Sequence, residues 1–274
     1  MNDDFERLVG GSGADTAPES GRPPTRRRAA VTAIVAAGLI GAAVIAAGLM
    51  VGGSAPPRAA EQPTPTAPAP TAVPVDAVDS VAPATSIAAL ADPNWIDDVA
   101  ARSGIPVRAL AAYTGAALRL EVENPACGLG WNTLAAIGHV ESEHGTIGGS
   151  RLDAQGRATP GIVGIPLDGG EVDAIRDTDG GTLDGDATWD RAVGPMQFIP
   201  STWEVFASDG DGDGVADPQQ IDDAVLTAAS YLCSIGDGPL SEPASWIAAV
   251  GAYNSTVDYN NRVAAAAAHY ATTG

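Results

Sequence analysis

The chain contains no lysine; all of its basic residues are arginine. No site explains that gap, which reads as a coding bias. The 14 arginines face 34 acidic residues, for a formal net charge of -20. That balance excludes nucleic acid as a partner, because such binding is driven by cations on phosphates. Aromatics are scarce at 5%. No alternating apolar pattern is long enough to demand a large sheet. Cysteine is limited to Cys127 and Cys233, so neither a multi-cysteine metal knot nor a disulfide-dense scaffold is possible.

Charge is also missing from one stretch, Ala29 to Gly53. Its length of about 25 residues exceeds the ~20 needed to cross a bilayer. Arg22, Arg26, Arg27 and Arg28 precede it, which places residues 1–28 in the cytoplasm and the residues after the run outside. A cleaved signal peptide would have a shorter apolar region ending in a small-residue cleavage site. The expected location is therefore the plasma membrane, single pass. Residues 54–87 are rich in Pro, Ala and Thr. They bury too little surface to fold and favour extended polyproline II, a disordered spacer with a reach of roughly 100 Å. On the outer side of a membrane the two cysteines are free to form a disulfide, although two buried thiols are the alternative.

Residues 88–274 carry the folded domain, expected to be mostly α. Helices are predicted over Trp95–Ser103, Val107–Glu123 and the stretch around Glu141. After a Gly- and Asp-rich region at 145–190, further helices are predicted at Pro200–Ala207, Gln220–Ile235, Pro243–Ala252 and Val257–Ala271. A loop region as long as 145–190 is normally functional or disordered.

Glu141 stands out within Gly130–Gly145, which reads as one helix ended by a glycine. It falls on the apolar stripe with Leu134, Ile137 and Gly138. A carboxylate there must be paired or protonated, and Gly138 lets something approach closely. Such a residue serves either chemistry or a structural ion pair. Glu143 points the other way, with His139, and reads as a surface or supporting residue. His139 and His144 are five apart and do not match a zincin pair, which needs four.

Asp209, Asp211 and Asp213 occupy positions one, three and five of an EF-hand-like calcium loop, with Gly214 at the turn and the Val215 carbonyl at position seven. Position twelve is Gln220 instead of glutamate, and Asp223 is expected to close a longer loop. The alternative is a solvated acidic loop. Asp177, Asp179, Asp184 and Asp186 read as turns. Gln197, in Gly194-Pro-Met-Gln-Phe198, offers an amide to a sugar. Tyr253 and Asn254 sit at a helix junction, which suits polar recognition or capping.

Four ordered blocks carry a resemblance. They are Ile137-Gly-His-Val-Glu-Ser-Glu-His-Gly145, Gly194-Pro-Met-Gln-Phe-Ile-Pro-Ser-Thr-Trp203, the Asp-rich loop with Asp223 and Tyr231, and Tyr253-Asn254. Over residues 95–265 the chain resembles lytic murein transglycosylases of the membrane-bound B type and their actinobacterial relatives. The resemblance implies a lysozyme-like fold, α+β with little sheet, and peptidoglycan glycan strands as substrate. It makes Glu141 the sole acid/base and requires no cofactor for chemistry. Thr188, Gln197, Tyr231, Tyr253, Asn254 and Tyr259 match groove positions, and calcium at the Asp-rich loop would be structural. The 145–190 region has no counterpart whose role transfers. Such an enzyme cleaves between N-acetylmuramic acid and N-acetylglucosamine without water, leaving 1,6-anhydro ends. The competing readings are a lysozyme-type hydrolase using an aspartate from 177–190, and a wall-binding scaffold without turnover.

Overall fold

The computed structural model describes residues 86–170, 173–235 and 238–274. The 29–53 apolar run, the cytoplasmic tail and almost all of the spacer lie outside the described residues. Among the described residues no helix is long and apolar enough to cross a membrane.

Among these residues, seven helices and four short strands come after a 3₁₀ turn at Ile87–Ala89: α1 (Pro93–Ser103), α2 (Val107–Glu123), α3 (Trp131–Ser142), β1 (Arg151–Leu152), β2 (Ala158–Thr159), β3 (Val163–Pro166), β4 (Arg191–Val193), α4 (Pro200–Phe206), α5 (Ile221–Ser234), α6 (Pro243–Tyr253) and α7 (Val257–Ala271). The helix starts obey local chemistry. Asp92 accepts from the amides of Asn94 and Trp95, with Pro93 in the first turn of α1, where its missing N–H costs nothing. The Gln220 and Thr256 side chains cap α5 and α7 in the same manner.

Helices α2 and α3 form the centre. Residues 131–138 of α3 are all buried, and α2 is buried on most of its circumference. A helix apolar all round belongs inside a helical bundle. α3 packs most extensively on α7, and α2 lies on α5, α3 and the 3₁₀ turn. Glycines make two of these approaches possible. A Cβ on Gly115 would collide with the Ile87 carbonyl. One on Gly138 would collide with the Tyr113 hydroxyl, which identifies the close approach that Gly138 was expected to admit.

The folded part therefore includes Ile87, fully buried, and Ser86, whose hydroxyl donates to Asp222 at 2.8 Å. Asp222 is itself buried and held by both terminal nitrogens of Arg108 at 2.7 Å. That two-pronged pair ties α2 to the start of α5.

The 145–190 region is partly ordered as strand. β1 pairs antiparallel with β2, and β3 pairs antiparallel with β4. Short antiparallel pairs of this kind escape a periodicity search, because two to four residues show no period. Helix α3 also ends earlier than a glycine stop implies. Glu143 and His144 adopt left-handed backbone at φ 52° and 61°, before Gly145 at 83°.

Cys127 and Cys233 are bridged, with Cα atoms 5.4 Å apart across a sequence separation of 106. The bridge ties the α2–α3 connection to the end of α5. Replacing both cysteines with serine should cost roughly 4–5 kcal/mol on the chain-entropy account. Urea unfolding would register this as a lower midpoint. An unchanged midpoint would refute that stabilisation.

Candidate active site

The last turn of α3 opens into a cleft of about 180 Å³. Glu141, Gln197, Tyr231, Tyr253 and Asn254 line it, drawn from α3, the segment before α4, α5 and the end of α6. Gly164, Ile165 and Leu167, on and just after β3, also line it. Part of the region whose role did not transfer is thus a wall of the cleft.

Glu141 is half-buried in its backbone setting, yet its carboxyl lies deep enough for desolvation to dominate its titration. Burial raises its pKa from 4.5 to about 7, against smaller lowering effects from the Tyr259 hydroxyl and the Arg262 charge. The Tyr259 hydroxyl donates to Glu141 Oε1 at 2.7 Å. Burial and the neighbouring Glu141 push the Tyr259 pKa well up, so that hydroxyl remains a donor. A carboxyl with this titration is protonated on about half of the molecules near neutrality.

The segment bearing Gln197 is pinned from two sides. The Ser142 hydroxyl donates to the Pro195 carbonyl at 2.6 Å, and the Tyr253 hydroxyl donates to the Met196 carbonyl at 2.7 Å. Gln197 itself has φ 49°. Among the described residues the three non-glycine residues with positive φ are Glu143, His144 and Gln197. All three stand at or beside the cleft, as strained backbone commonly does at functional sites. The Gln197 amide N–H₂ donates to the Gly194 carbonyl at 2.9 Å. Its oxygen lies beside Gly164, where a Cβ would come within 3.1 Å.

His144 is buried between Tyr113 and Tyr270, with Nδ1 3.2 Å from one hydroxyl and Nε2 2.9 Å from the other. Burial lowers its pKa to about 3, assisted by the nearby His139. A neutral imidazole with both nitrogens engaged thus holds the turn after Glu141. It is a structural histidine with no metal-binding geometry.

The remaining expected groove residues divide. The Tyr231 hydroxyl donates to the Ala252 carbonyl at 2.9 Å, and its ring meets Tyr253 edge-on at 5.8 Å. The Asn254 side-chain oxygen accepts from Thr256 N and Oγ1, so that end of the amide caps the α6–α7 junction. Tyr259 acts through Glu141. Thr188 is not among the lining residues. Its amide donates to Asp186 Oδ1 and its carbonyl accepts from Asp177 N, within the 177–190 loop. Among the described residues no aspartate lines the cleft. The second carboxylate on its lining is Glu143, which is exposed.

Sequence reasoning missed Arg262 and the β3 wall. The run Gly161-Ile-Val-Gly-Ile-Pro166 held the one available signal for the wall: small and branched residues bounded by turn formers.

In the acidic loop, Asp209, Asp211 and Asp223 bring one carboxylate oxygen each within 4.8 Å of one another. Asp223 is buried, and its pKa is raised to about 7, first by burial and then by Asp211 and Asp209 against opposing backbone hydrogen bonds. A buried carboxyl facing two more is relieved by a cation, so this oxygen-only donor set fits calcium. Asp213 stands outside the trio; its Oδ1 accepts from Val215 N at 2.8 Å. Gln220 does not complete the set. It caps α5 through its oxygen and donates to Asp211 Oδ2 at 2.9 Å.

Residues 173–267, about a third of the chain, match the family model of the transglycosylase SLT domain. The match supports a lytic transglycosylase family acting on peptidoglycan, and the helix-rich architecture with small antiparallel pairs fits a lysozyme-like domain of that kind. Glu141 precedes the matched stretch and enters on geometry. Neither the curated proteins nor the solved structures provide a match.

The hydroxyl of Tyr259 favours the ionised form of Glu141, so its loss must raise the pKa. Carbon-13 NMR of the Glu141 carboxyl in Tyr259→Phe should show a midpoint above that of the parent, whose value is about 7. A lower or unchanged midpoint would contradict the geometry described.

Proposed function

We propose that the protein is a membrane-anchored peptidoglycan lytic transglycosylase, of the membrane-bound B type, with Glu141 as its single acid/base. The observation that carries this reading is the desolvated Glu141 carboxyl in a cleft where the other carboxylate, Glu143, is exposed. A glycosidase normally needs two flanking carboxyl groups. The substrate itself supplies the missing one here. Protonated Glu141 gives its proton to the oxygen between N-acetylmuramic acid and N-acetylglucosamine, and the C1–O bond breaks. The muramic 2-acetamido group stabilises the cationic C1. Ionised Glu141 then removes the proton from the 6-hydroxyl of the same sugar. O6 bonds to C1, a 1,6-anhydro ring forms, and Glu141 is protonated again. No water is consumed.

Tyr259 orients the acid, while Gln197, Tyr231, Tyr253 and Asn254 bound the glycan path. Because the acid must begin protonated, activity falls as pH rises through about 7, the Glu141 pKa. The Ala29–Gly53 run anchors the chain, with residues 1–28 cytoplasmic, and the spacer carries the domain out into the wall. Calcium held by Asp209, Asp211 and Asp223 would supply charge compensation to the loop and take no part in proton transfer.

Against the lysozyme-type alternative stands the fact that no described aspartate is among the cleft's lining residues. Mass spectrometry of muropeptides released from purified sacculi tests the choice. The expected products carry 1,6-anhydro ends with no added water, and Glu141→Gln should abolish them while preserving the melting temperature. Hydrated reducing ends would establish a hydrolase. No release by the parent protein would favour a scaffold.

Calcium has a separate check. Chelator should lower the melting temperature, and added calcium should restore it. Asp223→Asn should blunt that response. Identical melting curves with and without chelator would remove calcium from the account.

A further inference from the structure

Arg262 is the one arginine that lines the cleft among the described residues. It lies one turn beyond Tyr259 on α7, so it stands on the same face as the hydroxyl that holds the acid. Like Arg102, Arg151 and Arg176 it forms no ion pair among the described residues, but of these four it alone lines the cleft. In a chain of net charge -20, an uncommitted guanidinium beside the reacting group is conspicuous.

Its position also works against the acid. The Arg262 charge lowers the pKa of Glu141, opposing the burial that keeps it protonated. The same charge acts on His139 and Tyr259. A cation that hinders proton donation in the free cleft has a use if an anion arrives with the substrate.

We propose that Arg262 is the cleft's receptor for a carboxylate on the peptide stem of the glycan's muramyl unit. The inference rests on the peptidoglycan reading above. The guanidinium fork matches a carboxylate in two-point geometry. It sits beside the place where Glu141 protonates the glycosidic oxygen, so it selects the muramyl unit over the uncharged glucosamine unit. Pairing also cancels the guanidinium's field at Glu141, leaving burial to dominate the acid once substrate is bound.

The test uses the full-length protein and three probes: intact sacculi, sacculi whose carboxyl groups have been converted to amides, and glycan stripped of peptide stems. Turnover on intact sacculi should fall about tenfold in kcat/KM for Arg262→Gln, as for a lost charge-assisted hydrogen bond. Most of the change should be in KM, with partial rescue by Arg262→Lys. Amidation should weaken the parent protein by a similar factor and leave Arg262→Gln unaffected. General electrostatics predicts the opposite sign, because removing wall carboxylates relieves repulsion of an acidic protein. Stripped glycan checks the source: dependence on Arg262 should be lost once the stem is gone, and dependence retained there would overturn the stem as the source.

Sedimentation of Glu141→Gln and Glu141→Gln/Arg262→Gln proteins with intact and amidated sacculi reads recognition without any turnover. Product masses judge the transglycosylase reading separately. Equal responses of the parent and Arg262→Gln proteins to amidation would overturn the proposal, whatever the products are.

Discussion

The site depends on holding a carboxyl group out of water while leaving one hydrogen bond to steady it. Desolvation raises the pKa of Glu141, and the Tyr259 hydroxyl, 2.7 Å away, limits the rise. Neither effect would place the titration near neutrality alone. Burial without a donor favours the neutral form further, and full hydrogen bonding without burial leaves an ordinary carboxylate. The α3–α7 contact, the most extensive between helices, sets both effects. α3 carries the acid and α7 carries its partner.

The end of α3 is correspondingly over-determined. Two consecutive non-glycine residues, Glu143 and His144, adopt left-handed backbone there. That conformation costs of order 1–3 kcal/mol per residue and persists only where surroundings enforce it. His144 provides the enforcement through Tyr113 and Tyr270. Ser142 adds to it by accepting from Gly145 N at 2.8 Å and donating to Pro195. Strain in the turn is thus held by the same contacts that seat the Gln197 segment against Glu141.

The sequence made the helices legible because each buries an apolar stripe with a 3.6-residue period. Val107–Glu123 and Val257–Ala271 are the ranges read from pattern alone. Glu141 was legible for the same reason, as a charge on the wrong side of that stripe. Gly138 carried a true signal of close approach, answered by the Tyr113 hydroxyl. The β3 wall was not legible, since four residues in a Gly-rich context carry no period. Arg262 was hidden by ordinariness: an arginine on an amphipathic helix is normally a solvated one. Thr188 entered by a different route. Its match to a groove position came from resemblance, and local Asx turns place it in a loop away from the lining. Asp213 lies outside the Asp209, Asp211 and Asp223 trio, with its Oδ1 accepting from Val215 N.

The acidic loop and the cleft wall are mechanically joined. Just after the acidic run, Gln219 clamps Ile162 at two points: its oxygen accepts from Ile162 N and its amide donates to the Ile162 carbonyl, both at 2.8 Å. Ile162 directly precedes β3, which forms the wall. Gly194 adds a second link, since a Cβ there would collide with the Pro218 carbonyl. On the other side, Asp223 binds the amides of Gly210, Asp211 and Asp217 and fixes the run's curvature. The run that carries the Asp209, Asp211 and Asp223 trio is thus bonded, through Gln219, to the residue that leads into the cleft wall.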